Sequence, residues 1–117
     1  MKVMFYEGLE GFNQDLPCDV DLVDNTIIIS NRTITAKLSL EQINSIDVLP
    51  ENSFLSKYHN TTGTTAKVGT KSYYVINYES SSGEQKYIAF WEVSVKAMKF
   101  FLKLQKQIKK PSLEIIL

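Results

Sequence analysis

His59 is the chain's only histidine and Cys18 its only cysteine. A histidine base needs a nucleophile and an orienting group, and a metal ion needs companion ligands. Beside His59 stand only Tyr58 and Asn60, so its expected role is that of a loop histidine. Cys18 follows Pro17 with no cation nearby to favour a thiolate, which makes it a structural residue. Being alone it forms no intramolecular disulfide, in keeping with a reducing compartment. Asp19, Asp21 and Asp24 alternate along a strand and its turn but lack the closely spaced oxygen ligands, ending in a bidentate Glu, of a calcium loop. A solvated strand face is the expected reading. GTTAKVGTK has neither the glycine spacing nor the terminal Lys-Ser/Thr of a phosphate-binding loop. Tyr73, Tyr74, Tyr87 and Trp91, interleaved with Lys71 and Lys86, have the makings of a stacking platform for single-stranded nucleic acid. A chain of zero net charge lacks the basicity such binding requires, so these rings are assigned to core or interface. No catalytic residue, cofactor site or metal site is predicted.

The most specific surface pattern is cationic. Lys96, Lys99, Lys103, Lys106 and Lys110 recur at intervals of 3, 4, 3 and 4, which gathers them on one side of a helix. Zero net charge conceals a division along the chain. Residues 1–56 hold nine acidic and three basic residues, and the remainder four acids and ten lysines, so −6 is set against +6. Such a division orients a molecule toward a charged partner or a copy of itself. An anionic membrane surface is the alternative, each lysine near it contributing about 1 kcal/mol, although no aromatic anchor shares the lysine side.

The elements that must carry these residues follow from periodicity. With 117 residues, 44% hydrophobic and 22% charged, the chain predicts one globular domain over 1–117. MKVMFYEGLEG contains no apolar run of signal-peptide length, and a cytoplasmic protein is expected. Residues 1–17 read as an N-terminal extension. CDVDLV is a strand, Asp24-Asn25 its turn, and TIIIS the returning strand. Asn31-Arg32 leads into ITAKLSL, where Ile34, Ala36, Leu38 and Leu40 share a face. EQINSIDVL continues to Pro50, giving four strands before that residue. SFLSKYH is expected as a short strand with Phe54 and Tyr58 on one side, and NTTGTTAKVGT as a loop or weak edge strand. Tyr74, Ile76 and Tyr78, then Ile88 and Phe90, form the apolar face of a hairpin joined by Ser81-Ser82-Gly83. Tyr73, Tyr87 and Trp91 occupy its other face. A single helix over 94–110, capped by Ser94, follows, with Ala97, Phe100, Phe101, Leu104 and Ile108 on its apolar side and Pro111 after it. The tail 111–117 places Leu113, Ile115 and Leu117 on one face, suited to self-association as an added strand.

A strand meander, a hairpin of the form YxxxxGExxYIxF and one terminal helix together resemble the pleckstrin-homology-like superfamily, especially its small bacterial domains. LSLEQINSIDV, INYESSSGEQKYIAF and the helix Val95 to Ile108 carry the resemblance. It implies an α+β, mainly β fold: a strongly bent antiparallel sheet or partly open barrel of roughly seven strands, capped by the C-terminal helix. In phosphoinositide-binding members, basic residues around the first strand connection grip the head group. DVDLVDNTIII presents three aspartates and no lysine there, so that site is absent. The expected function is non-catalytic: protein binding or self-assembly, with peripheral binding of anionic lipid or nucleic acid as the alternative.

Overall fold

The computed structural model describes residues 1–60 and 71–108. Seven strands form one antiparallel sheet: β1 Lys2–Glu7, β2 Pro17–Val23, β3 Thr26–Ser30, β4 Thr35–Ser39, β5 Ile43–Pro50, β6 Ser72–Glu79 and β7 Gln85–Glu92. Two α-helices join them, α1 Glu51–His59 and α2 Val95–Gln107, and a short 3-10 turn at Leu40–Gln42 links β4 to β5. The strand order is β4-β3-β2-β1-β7-β6-β5, so the sheet is open, with β4 and β5 at its edges. The expected mainly β, seven-stranded antiparallel fold with a C-terminal helix is present at this level.

Alternation divides each strand between two faces. On β6, Tyr74 and Ile76 point to one side and Tyr73 and Val75 to the other, and all four are buried. The larger, inner core joins Val3, Phe5, Val20, Ile27, Ile29, Ile46, Ile88 and Phe90 to Ala97, Phe101 and Leu104 of α2 and to Ile108 at its C-cap. The outer core is smaller. There α1 lays Phe54 against Tyr73, with rings stacked 4.4 Å apart, while Tyr6, Tyr58, Tyr87 and Trp91 surround them.

Two sequence expectations change here. Residues 1–17 are not a mere extension, because β1 lies in the middle of the sheet, paired to both β2 and β7, with Val3 and Phe5 buried. Residues 53–59 are not a strand but most of α1. Phe54 and Tyr58 stand four apart, a spacing that puts two residues on one face in either a strand or a helix. The helical alternative prevails: Pro50 ends β5 in extended geometry at the N-cap, and Asn60 closes the helix in the left-handed region at φ 51. The chain therefore has a second helix, and it covers the face that carries Tyr73, Tyr87 and Trp91.

β1 also contains a bulge. Phe5 pairs with Phe90 but Glu7 with Ala89, so one extra residue is fitted in between. As a result Tyr6 and Glu7 both reach the outer face: Tyr6 packs edge-on against Phe54, and Glu7 meets His59 and Tyr87. Gly8 follows at φ +113, where a Cβ would lie 2.3 Å from the Tyr87 carbonyl oxygen; only glycine allows the chain to leave β1 this close to β7. Thr61 to Gly69, Lys110, Pro111 and the tail residues Leu113, Ile115 and Leu117 lie outside the described residues.

Candidate interaction surface

α2 starts where expected. The Ser94 hydroxyl accepts from the Ala97 amide at 3.2 Å, satisfying one free donor of the first turn. Its inner side is fastened by the Phe101 ring, stacked 4.3 Å from Tyr74 and 5.9 Å from Phe90. Gln105 adds a polar tie: its amide nitrogen donates 2.6 Å to the Ile46 carbonyl on β5. The helix is thus held by packing along one side and by a hydrogen bond to an edge strand, which leaves its opposite side fixed in space and open.

That open side carries Lys96, Lys99, Lys103 and Lys106, all exposed, and among the described residues none of them forms an ion pair. It also carries apolar residues that the lysine periodicity alone did not reveal. Val95 is 68% exposed, Leu102 39% and Met98 36%. At spacings of three and four they form a stripe beside the lysines, with exposed Val93 just before the helix. The signal was present in the sequence. Ala97, Phe101 and Leu104 mask it, because they already account for one apolar side of the helix.

The acidic and basic portions also meet within the molecule. Asp19, Asp21 and Asp24 are exposed on β2 and its turn, as expected, and the N-terminal ammonium reaches Asp21 at 2.7 Å. Asp21, Leu22, Phe100, Lys103, Leu104 and Gln107 line a cleft of about 270 Å³ between β2 and α2.

On the outer face, each of four aromatic polar groups meets a carboxylate. Tyr58 Oη donates to Asp47, Tyr87 Oη to Glu7, Tyr73 Oη to Glu51 at 3.0 Å and Trp91 Nε1 to Asp15 at 2.8 Å. Burial raises all three phenol pKa values, and the accepting carboxylates raise them further; Tyr58 is pushed up to about 12. His59 is the last residue of α1 and not a loop residue: its Nε2 lies 2.7 Å from Glu7 Oε2, with its ring edge-on to Tyr6. Lys57 pairs with Asp47 at 2.6 Å, and Asn77 donates to Tyr58 Oη at 2.9 Å. The network binds α1 to β1, β5, β6 and β7. It brings His59 to the Glu7 carboxylate. Cys18 is buried; burial, followed by the neighbouring Asp19, pushes its thiol up to about 12. Among the described residues no cluster of three or more His, Cys, Asp or Glu is placed to hold a metal ion, and no helix is long and apolar enough to cross a membrane.

No family model, no curated protein and no solved structure matches the chain.

Proposed function

We propose that the chain is a non-catalytic interaction domain of pleckstrin-homology-like architecture, acting in the cytoplasm, whose α2 docks on an acidic protein surface. The acidic β2 region of a second copy is one such surface. One observation carries the reading: on a helix held rigidly from behind, four exposed lysines, without an ion pair among the described residues, stand beside an exposed stripe of Val95, Met98 and Leu102. Lysines draw an acidic partner in, and the aliphatic stripe supplies the contact area that excludes water once it arrives. The architectural part rests on a seven-strand antiparallel sheet followed by a C-terminal helix packed on its inner side. The same pairing of lysines with aliphatic side chains favours a second reading, an anionic lipid surface.

Charge reversal at Lys99, Lys103 and Lys106 tests both. The triple Lys→Glu variant keeps its circular dichroism spectrum and melting temperature, since the three side chains are exposed. Light scattering at low and moderate salt, affinity capture from the native host and flotation with phosphatidylserine vesicles are then compared between the two proteins. A protein contact, with itself or another, that weakens with salt and disappears in the variant supports the first reading. Vesicle binding alone supports the second, and equal binding by both proteins in every assay removes α2 from the function.

A further inference from the structure

Behind the β1–β2 connection lies a cleft of about 420 Å³ bounded by Phe5, Phe12, Leu16 and Pro17 on its apolar side and by Asn13, Asn31, Arg32 and Thr33 on its polar side. It lies within the size range of small-molecule sites. Two connections far apart in sequence build it, and they are fastened together. The Asn31 carboxamide oxygen accepts from the Thr33 and Ile34 amides at 2.9 and 2.7 Å, which shapes the β3–β4 turn, while its nitrogen donates to the Gly11 carbonyl at 3.1 Å. Gly11, at φ +84, sits so close to Ile34 that a Cβ would come within 2.1 Å of its terminal carbon. On the far wall the Phe5 amide donates to Leu16 at 2.9 Å and the Asp15 amide to Phe5 at 2.7 Å. The Phe5 and Phe12 rings pack 5.3 Å apart as its floor. The cleft is therefore a built feature with fixed walls.

Its chemistry is asymmetric. Asn31 is consumed in holding the walls, so the polar side offers one charge, Arg32, the chain's sole arginine. Among the described residues Arg32 forms neither an ion pair nor a hydrogen bond, and no carboxylate lines the cleft. Of the two acids in the connection, Asp15 is engaged by Trp91, and Glu10 is exposed beside Gly11 with no ion pair among the described residues. Leu16 leaves 52% of its surface open at the rim. A free guanidinium presents a planar fork of donors matched to a carboxylate, whereas a phosphate would call for more positive charge than one arginine supplies.

We propose that this cleft binds a small apolar monocarboxylate, its carboxylate on Arg32 and its hydrocarbon body against Phe12, Leu16 and Pro17. The site lies apart from α2 and is independent of the docking reading. A free organic acid and the C-terminal residue of a peptide share this chemistry, and the proposal commits to the free acid, because a cleft of about 420 Å³ is the size of one small molecule.

Octanoate and 4-phenylbutyrate serve as probes, with octanamide as the uncharged control and a pentapeptide ending in leucine as the competing source. The full chain, labelled with nitrogen-15, is titrated to millimolar ligand. The expected result is a saturable shift of the Phe12, Asn13, Arg32 and Thr33 amides with the acids, and binding at least about tenfold weaker for octanamide. Arg32→Gln and Leu16→Ser, both at exposed positions, retain the melting temperature and each weaken octanoate binding. Absence of saturation, equal binding of acid and amide, undiminished binding by folded Arg32→Gln, or binding of the peptide alone would each overturn the assignment.

Discussion

Tyr74 carries a phenol oxygen into the inner core, where Ser72 stands close enough to lower its pKa but no group among the described residues meets it in hydrogen-bond geometry. Its ring is fully buried and stacked on Phe101, so the packing of the residue is sound while its hydroxyl is a liability. A buried polar group left unpaired costs about 1–3 kcal/mol. Tyr74→Phe keeps the ring and removes that cost. The expected outcome is a higher urea midpoint with unchanged slope, by about 1 kcal/mol; a destabilised variant would mean that the hydroxyl is satisfied. The contrast with Tyr73, one residue earlier, is instructive. Both tyrosines are visible in YYVINYE as neighbours on opposite faces, but which of them has a carboxylate within reach depends on Glu51 at the start of α1. Sequence spacing does not contain that fact.

At the scale of elements, α1 is the piece that turns the outer face from a solvated surface into a second core. It is fastened through phenols that must stay protonated, with Tyr58 held by Asp47 from β5, Tyr87 by Glu7 from β1, and Tyr73 by Glu51 of the helix itself. All three have folded pKa values raised above the ordinary 10.0, so the folded state holds these protons more tightly than the unfolded chain does. The corresponding stability is present in full below pH 10 and drains away as pH climbs from there through about 12. The expected observation is native tyrosinate absorbance near 295 nm that lags well behind free tyrosine, together with a urea midpoint that falls across this window. Tyr58→Phe should flatten that fall, and titration of all the phenols near pH 10 would contradict the arrangement.

The elements differed in how legible they were. β2 and α2 are legible because each repeats its apolar residues at a single period, and β3 and the β6–β7 pair because runs of β-branched and aromatic residues end on recognisable turn residues. α1 was not, since its two apolar landmarks, Phe54 and Tyr58, suit either period and its stability comes from the aromatic layer beneath it. β1 was obscured for a different reason. Met4 and Tyr6 interrupt the polar side of an otherwise alternating strand, and a bulge places Tyr6 and Glu7 on the same face. Of the candidate surfaces, the lysine row is legible as a helical repeat, whereas the aliphatic stripe beside it is hidden by the stronger apolar side that faces the core. The cleft at Arg32 arises from two connections that only the folded sheet brings together.

At the scale of the whole molecule, the position of β1 ties the sheet's two meanders together. β1 to β4 form one run of neighbours and β5 to β7 another, and the join between them is the pairing of Met4 with Trp91 and Phe5 with Phe90. During synthesis β1 leaves the ribosome first and waits on the order of ten seconds for β7. Until then it has a bare edge, and neither meander can complete the inner core, because α2 emerges later still. Nascent chains arrested with only residues up to 84 exposed should therefore remain open to protease, and protection should arrive abruptly once β7 and α2 are both clear of the tunnel. Protection that grew gradually with length would mean that the first four strands fold as a unit alone. The same join makes β1 wait longest of the seven strands for its second neighbour, so a pause in translation within residues 8–84 prolongs the interval in which a chaperone, or the edge of another nascent copy, can reach β1 first.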